Sequence, residues 1–493
     1  MADSRAHEFV VVADHLPVDH TLPVGHALSG GVRPEWRSTR SGLNTALQPI
    51  VAERGGAWVG WSGLVDTPVG PFPWDRMWLH PVQLSAREVS YHIDGQCNAT
   101  IAPLYHDAVE PPVFHRHWRH EYHLVNERYA QTAAAVAAPG GIVWVHDYHL
   151  QLVPAMLRAL RPDLLIGFFL HIPFPPIELF MQLPLRGDIV HGLLGADLIG
   201  FQRAGAAENF LHLARHVGGH RTDGRAVIVD DRRVVVEAFP LSVDFDTTAR
   251  LAQTPAVRER AADIRTELGS PRTVLLAVDR LDPSKGIEQR LSAYAELLAG
   301  RALDPADTVL VQVAVPSRQR TPHHSELRDR VERRVGQING VHAQVGRPAV
   351  HYLHQSFDYD ELTALYLAAD VMLATPLRDG MNLNAKEFVA CRTDGSGALV
   401  LSEFTGAAAD LPQATIVNPH DVDALKSAIL AAVRPEPAPV RRAAMRAMRE
   451  QVRRYDVHHW AERFLQTLHR CEEGEATESD EPSTLSAPRR FSP

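Results

Sequence analysis

Short apolar runs alternate with longer amphipathic stretches along most of the chain. The runs are four to seven residues long and several are rich in β-branched residues, so they predict strands buried on both faces, as in a parallel sheet. They form two sets, at residues 9–12, 142–145, 164–170 and 196–201, and then at 273–278, 308–314, 371–375 and 398–402. Helical patterns lie between the runs, for example at residues 150–160, 288–298 and 359–369. This alternation predicts an α/β fold with two doubly wound sheets.

A polar zone at residues 244–270 separates the two sets of runs. We therefore predict a domain boundary near residue 245, with one Rossmann-like domain at residues 1–244 and a second at 245–440. Two such domains imply a cleft between them, where strand ends and the first turns of helices converge. Helices are expected at residues 441–470. The segment 471–493 is rich in Glu, Ser and Pro and is expected to be a disordered tail.

Composition narrows the class of protein. The 493 residues are 45% apolar and 22% charged, which excludes wholesale disorder. A formal net charge of −9 argues against a general nucleic-acid binder. Cys97, Cys391 and Cys471 are far apart, which argues against a disulfide framework and a cysteine-based zinc site. No signal segment and no apolar run of about 18 residues is visible, so we expect a cytoplasmic protein without membrane contact.

Two loops that follow strands carry groups suited to a sugar nucleotide. The first, residues 278–286, places Arg280 and Lys285 before a helix, whose dipole also favours anions. Two cations there suit a diphosphate whose negative charge grows as a glycosidic bond breaks. The alternative is a surface loop with solvated charges.

The second loop spans residues 375–387 and also opens a helix. Asp379 can accept hydrogen bonds from sugar hydroxyls, and the backbone of residues 380–383 can donate them. Glu387 lies farther along the same helix and can reach a ribose. The alternative is an ordinary loop with a helix-capping Asp.

The first half contributes polar residues at two predicted strand ends. They lie in the segments WVHDYH, residues 144–149, and LHIPFP, residues 170–175. A lone histidine in such a place is more often structural than functional. Two such strand ends in one domain make a site in the cleft about as frequent an outcome as a structural role. The histidine-rich run at residues 114–120 has no zinc spacing and predicts a solvated helix face, and Asp230-Asp231 predicts a turn. The sequence predicts no metal site.

Six blocks in one order make the chain resemble a known family. They are HDYHL at residues 146–150, GFFLHIPFP at 167–175, RLDPSKG at 280–286, QVAVPSR at 312–318, TPLRDGMNLNAKE at 375–387 and SEFTGAA at 402–408. These blocks resemble those of the trehalose-6-phosphate synthases, retaining glycosyltransferases of family 20 with the GT-B fold, over about residues 9–468. The resemblance implies an N-terminal acceptor domain and a C-terminal nucleotide-sugar domain. It also implies that the helices at residues 441–470 cross back to the first domain.

The resemblance implies a role for each matching residue on the donor side. Arg280 and Lys285 would hold the donor diphosphate, Asp379 would bind the donor glucose, and Glu387 would bind the ribose. His171 would contact the transferred glucose. The other implied donor positions are Gly42, Gly380, Met381, Asn382 and Leu383.

On the acceptor side, the resemblance places Asp147 near the acceptor hydroxyls. The other implied acceptor positions are His15, Trp61 and Arg318. Retaining enzymes of this fold lack a well-placed nucleophilic carboxylate, so the implied mechanism is front-face substitution, in which the leaving phosphate helps to deprotonate the acceptor. Asp147, His171, Arg280, Lys285 and Asp379 would then catalyse by alignment and leaving-group stabilisation, with no metal ion and no cofactor.

The chain departs from the family pattern mainly on the acceptor side. His15 stands where an arginine is expected, Ser41 replaces one of two paired glycines, and Ile93 and Ala102 align with a tyrosine and a tryptophan. The leading function is glucosyl transfer from UDP- or GDP-glucose to glucose 6-phosphate, which gives α,α-trehalose 6-phosphate. One alternative keeps the donor and takes glycerol 3-phosphate or an aminocyclitol phosphate. Another is a non-catalytic paralogue that senses a sugar phosphate. The oligomeric state is left open, with a homo-oligomer among the options.

Overall fold

The computed structural model describes residues 6–21, 35–38, 42–316, 322–434 and 438–472. Its strands are β1 (His7–His15), β2 (Val18–Thr21), β3 (Glu35–Ser38), β4 (Ala57–Val65), β5 (Phe72–Trp74), β6 (Met77–Leu84), β7 (Ala137–His146), β8 (Leu165–Phe169), β9 (Leu198–Phe201), β10 (Arg221–Asp223), β11 (Ala226–Val229), β12 (Arg232–Ala238), β13 (Thr273–Arg280), β14 (Thr308–Val315), β15 (Val350–Leu353), β16 (Val371–Ala374), β17 (Ala398–Ser402) and β18 (Thr415–Val417).

Helices connect most of these strands. The α-helices are α1 (Gly42–Glu53), α2 (Ala86–Glu88), α3 (Ala102–Tyr105), α4 (Arg116–Val136), α5 (Val153–Leu160), α6 (Ile177–Phe180), α7 (Arg186–Leu193), α8 (Ala204–His216), α9 (Phe245–Leu251), α10 (Pro255–Glu267), α11 (Ile287–Ala299), α12 (Pro322–His342), α13 (Tyr359–Ala368), α14 (Leu383–Cys391), α15 (Ala407–Asp410), α16 (Val422–Val433), α17 (Ala438–Arg454) and α18 (Val457–Glu472). A π-helix spans Val89–Ile101, and 3₁₀ turns lie at Tyr148–Leu150 and Pro283–Lys285. No helix in the described ranges is long and apolar enough to cross a membrane.

The strands form two large sheets. The first has the order β10-β11-β12-β9-β8-β7-β1-β4-β6-β5 and is parallel from β12 to β6, with antiparallel pairs at both edges. The second has the order β15-β14-β13-β16-β17-β18 and is parallel throughout. In each sheet the first strand in the chain, β1 or β13, has later strands on both of its sides, as in doubly wound sheets. Strands β2 and β3 form a separate antiparallel pair.

Both large sheets are buried on both faces, as the continuous apolar runs predict. In β1, Val10 and Val12 belong to one core while Phe9 and Val11 belong to another, because successive side chains point to opposite faces. The same alternation divides β13 between two further cores. The prediction of an α/β fold with two doubly wound sheets is therefore confirmed.

The packing changes from one sheet to the other shortly before the predicted boundary at residue 245. Leu241 belongs to a core of the first sheet and Val243 to a core of the second. Helices α9 and α10, which occupy the polar zone, place Phe245 and Ile264 in that second core. The division into domains at residues 244 and 245 itself stays a prediction.

The last two helices pack on different sheets. Helix α17 contributes Met445 and Met448 to a core of the second sheet, whereas α18 packs against the first. The Phe464 ring stacks on Trp144 with centroids 4.4 Å apart. Gly167 and Gly200 leave room for it, since a Cβ on either would lie within 2.8 Å of the Phe464 ring. Helix α18 continues to Glu472, two residues into the segment predicted as a tail, and residues 473–493 lie outside the described ranges.

Candidate active site

The carboxyl ends of the parallel strands of both sheets meet at one cleft. In the first sheet, β1 ends at His15 and β7 at His146, and in the second sheet β13 ends at Arg280. The two sides touch directly, because a Cβ built on Gly380 would lie 2.2 Å from the carbonyl oxygen of His171. The chemistry-bearing loops of the two halves therefore come together, as the doubly wound pattern predicts.

A buried ion pair lies between the two predicted donor loops. Nζ of Lys285 is 2.9 Å from Oδ2 of Asp379, and the two side chains are only 9% and 14% exposed. Burial alone raises the pKa of Asp379, but the charge and hydrogen bond of Lys285 lower it overall, so the carboxylate is ionised. Arg280 is exposed at the end of β13, and its positive charge acts on both Asp379 and Asp147.

A second buried cation, Arg290, holds the loop that carries Lys285. It was not among the residues predicted from the sequence. Arg290 is fully buried in α11 and donates to Asp279 and to Gln312, at 2.7 Å each. It also donates to the backbone carbonyl of Lys285 at 3.2 Å. The sequence signal for it was its helical spacing, three residues after Ile287 and four before Tyr294, which places its side chain on the buried face of α11.

The loop before α14 is held by Asn382, whose φ of 73° lies in the left-handed region. Its side-chain oxygen accepts from the backbone N–H of Ala385 at 3.1 Å and so caps α14, which begins at Leu383. Its side-chain nitrogen donates to Oδ2 of Asp379, also at 3.1 Å. The carbonyl of Met381 accepts from the backbone of a neighbouring helix, α15, at 2.9 Å. These contacts fix Asp379 and the backbone of residues 380–383 as one unit.

Glu387 lies on α14 and is directed into a buried environment. Burial raises the pKa of its carboxyl group to about 7. The hydroxyl of Tyr366 donates to Oε2 of Glu387 at 3.0 Å and limits that rise, because it stabilises the carboxylate. Glu387 is thus a carboxyl group that titrates near neutral pH.

Asp147 and His171 form the opposite wall of the cleft. Asp147 adopts a φ of 73°, and its Oδ1 accepts from the backbone N–H of His171 at 3.2 Å. Burial first, and the negative charge of Asp14 second, raise the pKa of Asp147 to about 7. Burial lowers the pKa of His171 to about 3, so its imidazole is neutral. Nδ1 of His146 lies 3.0 Å from Nε2 of His171.

His15 is held by the carboxylate beside it. Its Nδ1 lies 2.8 Å from Oδ2 of Asp14, and Nε2 of His149 lies 3.7 Å from the same oxygen. Burial lowers the pKa of His15, but Asp14 raises it above its ordinary value overall. The ring of His15 packs on Trp61 with centroids 4.9 Å apart, and Nε1 of Trp61 donates to the carbonyl of Leu64. His15 and Trp61 therefore lie together, on the same side of the cleft as Asp147.

Some predicted positions lie elsewhere or outside the described ranges. Arg318 and Ser41 lie outside them, and Gly42 is the first residue of α1. Ala102 is fully buried in a core of the first sheet, and Ile93 packs against that core from the π-helix. The small side chain of Ala102 therefore borders other core residues rather than open space.

Between the two sides runs a further ion pair, outside the predicted set. Nε of Arg378, in the second donor loop, lies 2.8 Å from Oδ2 of Asp107, which follows α3. Arg378 is mostly buried and Asp107 is partly exposed. The pair joins the two halves of the cleft beside Asp379.

Neither metal ligands nor disulfides organise the described part of the molecule. Within the described ranges, no three His, Cys, Asp or Glu side chains come together to hold a metal ion. The three cysteines all lie in those ranges and form no disulfide bond, with Cys97 and Cys391 buried.

The chain is similar to known proteins along nearly its whole length. The sequence model of glycosyltransferase family 20 matches residues 7–470. A trehalose-6-phosphate synthase from Mycobacterium sp. (strain KMS) is 52% identical over 471 residues, which cover 94% of this chain and 95% of the relative.

Solved structures agree with this similarity. A UDP-forming α,α-trehalose-phosphate synthase from Burkholderia vietnamiensis superposes with a TM-score of 0.86 at 30% identity, over 97% of this chain and 100% of the other. One from Burkholderia xenovorans in complex with glucose 6-phosphate gives a TM-score of 0.84 at 30% identity, over 94% and 100%. The predicted GT-B fold and the predicted glycosyltransferase class are thus confirmed. The chain belongs to glycosyltransferase family 20.

Proposed function

We propose that this chain transfers a glucosyl residue from UDP- or GDP-glucose to glucose 6-phosphate, with retention, and so forms α,α-trehalose 6-phosphate. The observation that carries the proposal is the cleft itself, where Arg280 and the Lys285–Asp379 pair face Asp147 and His171. Relatives named for this activity, one of them solved with glucose 6-phosphate, support the same choice.

The donor side would act on the leaving group. Arg280 and Lys285 neutralise the diphosphate as its charge develops, in a site where Arg290 already fixes the loop and little reorganisation is needed. Asp379 is tied to Lys285 and Asn382, so it is placed to accept hydrogen bonds from the glucose rather than to attack it. The two cations supply the charge that a metal ion would otherwise supply, and the proposal includes no cofactor.

The acceptor side would align the attacking hydroxyl. Asp147 is fixed by the backbone of residue 171 and accepts hydrogen bonds from the acceptor sugar in its ionised form. A phosphate oxygen of the leaving diphosphate takes the proton of the attacking hydroxyl as the new bond forms on the same face. Much of the rate enhancement then comes from holding the acceptor hydroxyl and the leaving phosphate together on the same face of the glucose.

The His15 position is the reason to keep a second acceptor class. Nδ1 of His15 lies 2.8 Å from Oδ2 of Asp14, so one of the two ring nitrogens is already taken by a neighbouring side chain. An arginine at this place would offer a permanent bidentate charge instead. Glycerol 3-phosphate or an aminocyclitol phosphate is therefore the alternative acceptor to compare with glucose 6-phosphate.

A panel of donors and acceptors tests the proposal. The purified chain is incubated with UDP- or GDP-glucose and with each phosphorylated acceptor, and products are identified by mass spectrometry and by the anomeric coupling in NMR. We expect an α,α-linked disaccharide phosphate, formed much more slowly by the Lys285→Ala variant. A larger kcat/KM with another acceptor would favour the alternative. Failure of all phosphorylated acceptors would overturn both.

A further inference from the structure

Two neutral histidines share one hydrogen bond at the ends of neighbouring strands. His146 ends β7 and is fully buried, and its Nδ1 lies 3.0 Å from Nε2 of His171, which follows β8. The Nε2 of His146 is buried without a hydrogen-bond partner among the described residues. Burial lowers the pKa of both rings, so neither carries two protons at neutral pH. One ring must donate and the other must accept.

The surroundings of His146 decide which ring donates. If His171 donated, His146 would carry its proton on Nε2, which would leave a buried N–H unpaired. The neighbouring indole makes that arrangement worse, because Trp144, with its ring centroid 4.7 Å away, already has a buried N–H without an acceptor. If His146 donates from Nδ1 instead, its Nε2 carries no proton, and no further unpaired N–H group is buried in this apolar cluster. Unpaired buried N–H groups are rarer than unpaired acceptors.

We propose that His146 is a positioning residue, which donates from Nδ1 to Nε2 of His171 and thereby holds His171 in its Nδ1-protonated tautomer. The ring nitrogen left for a ligand is then Nδ1 of His171, and it presents an N–H donor. His171 is partly exposed at the cleft, beside Gly380 of the donor loop. This inference rests on the proposed function in one respect, namely that His171 contacts the transferred sugar, whose hydroxyl oxygens accept such a bond.

Two variants of His146 separate its hydrogen bond from its bulk. His146→Gln keeps an N–H donor, whereas His146→Phe keeps a planar ring without one. We expect His146→Phe to lower kcat/KM for the donor about three- to tenfold, the scale of one hydrogen bond, and His146→Gln to retain most of it. Thermal unfolding of both variants shows whether each is folded. Equal activity of two folded variants would overturn the proposal.

A double-mutant cycle tests whether His146 acts through His171. If it does, adding His146→Phe to His171→Gln causes no further loss, because the group that it orients is already gone. Fully additive losses would mean that His146 contributes only to the structure.

Nitrogen NMR reads the tautomer directly, without any substrate. In the protein labelled with ¹⁵N-histidine, the signals absent from His171→Gln belong to His171. We expect a protonated Nδ1 and a bare Nε2 in the wild type, and a loss of that preference in His146→Phe. A protonated Nε2 in the wild type would overturn the assignment. This measurement stands even if no acceptor in the panel is glucosylated, so the two failures are distinguishable.

Discussion

At the scale of single residues, the donor side could be predicted because its chemistry is concentrated in short segments. Arg280, Lys285 and Asp379 were identified from charge placed directly after apolar runs, and the structure brings Lys285 and Asp379 to 2.9 Å. Arg290 could not be identified in this way, because its partners Asp279 and Gln312 lie on other elements. Its spacing from Ile287 and Tyr294 places it on the buried face of α11, but that spacing does not say which groups a buried arginine pairs with.

Arg280→Ala and Lys285→Ala are each expected to lower kcat by about 10²–10³, or about 2.7–4 kcal/mol of transition-state stabilisation, the scale of one preorganised group. Lys285→Ala additionally leaves the buried Asp379 without its partner. Steady-state kinetics with saturating donor measures the effect. Lys426→Ala is the matched control, since Lys426 pairs with the exposed Glu296 and Asp423 at the surface. Near-wild-type kcat in both test variants would contradict the assignment.

Glu387 is expected to make donor use depend on pH. Its pKa is raised to about 7 by burial, so the carboxylate that would accept the ribose hydroxyls forms as the pH rises from 6 to 8. kcat/KM for the donor should rise over that range. Tyr366→Phe removes the hydrogen bond that stabilises the carboxylate, so it should shift this rise to higher pH.

Asp147 is a second carboxyl group of the site that titrates near neutral pH. Glu387→Gln is the control that separates its contribution from that of Glu387. The part of the pH profile that remains in Glu387→Gln belongs to other groups. A profile that is unchanged in both Tyr366→Phe and Glu387→Gln would exclude Glu387 from donor binding.

His15 is expected to make acceptor use depend on pH in the opposite direction. Asp14 raises the pKa of His15 above its ordinary value, so the imidazolium persists to higher pH and is lost as the pH rises through that raised pKa. The KM for a phosphorylated acceptor should therefore rise between pH 7 and 9, where the phosphate itself stays fully charged. His15→Arg should lower this KM and flatten its pH dependence. A flat profile in the wild type would show that His15 does not bind the phosphate as a cation.

At the scale of elements, continuous apolar runs identified strands such as β8 and β13 because both faces of a parallel sheet are buried. Strand β4 was missed because Gly60 and Ser62 interrupt its apolar pattern. A Cβ on Gly60 would lie 2.6 Å from the backbone of His15, so the glycine is required by the close approach of two chain segments. Strands β10–β12 were missed because charged residues occupy an antiparallel edge. The hydrophobic pattern of a segment does not show which distant segments of the chain contact it.

Phe464→Ala tests the packing of α18 on the first sheet. The ring stacks on Trp144 and lies over Gly167 and Gly200, so truncation leaves a cavity that the sheet cannot close. We expect a loss of about 3–5 kcal/mol of unfolding free energy, measured by urea denaturation. Phe114→Ala is the control, because Phe114 is 41% exposed, and it should change stability little. An equal effect of both substitutions would contradict the packing described here.

At the scale of the whole molecule, the position of the two halves of the cleft relative to each other could not be predicted from the sequence. It depends on the contact of Gly380 with the His171 carbonyl and on the Arg378–Asp107 ion pair, which join residues far apart in the chain. Neither half alone supplies all the groups of the proposed active site. Loop 278–286 and loop 375–387 bring the cations, and the strand ends of the first sheet bring Asp147. The geometry of the reaction is therefore set by how the halves meet.

Gly380→Ala is expected to disturb the contact between the two halves of the cleft while leaving each half folded. Gly380 lacks a left-handed φ, so only space excludes a side chain, and the added Cβ would lie 2.2 Å from the carbonyl oxygen of His171. A backbone carbonyl cannot swing aside as a flexible side chain can, so the donor loop must move away from the first sheet. Displacement by about 1 Å can cost about 10²-fold in rate, and we expect a fall in kcat/KM of that size with little change in thermal stability. Gly205→Ala, at a helical position where the added Cβ meets nothing within 4 Å outside its own helix backbone and chain neighbours, should leave kcat/KM unchanged and should not lower thermal stability. Wild-type kinetics in Gly380→Ala would mean that the reaction does not depend on this contact between the two halves.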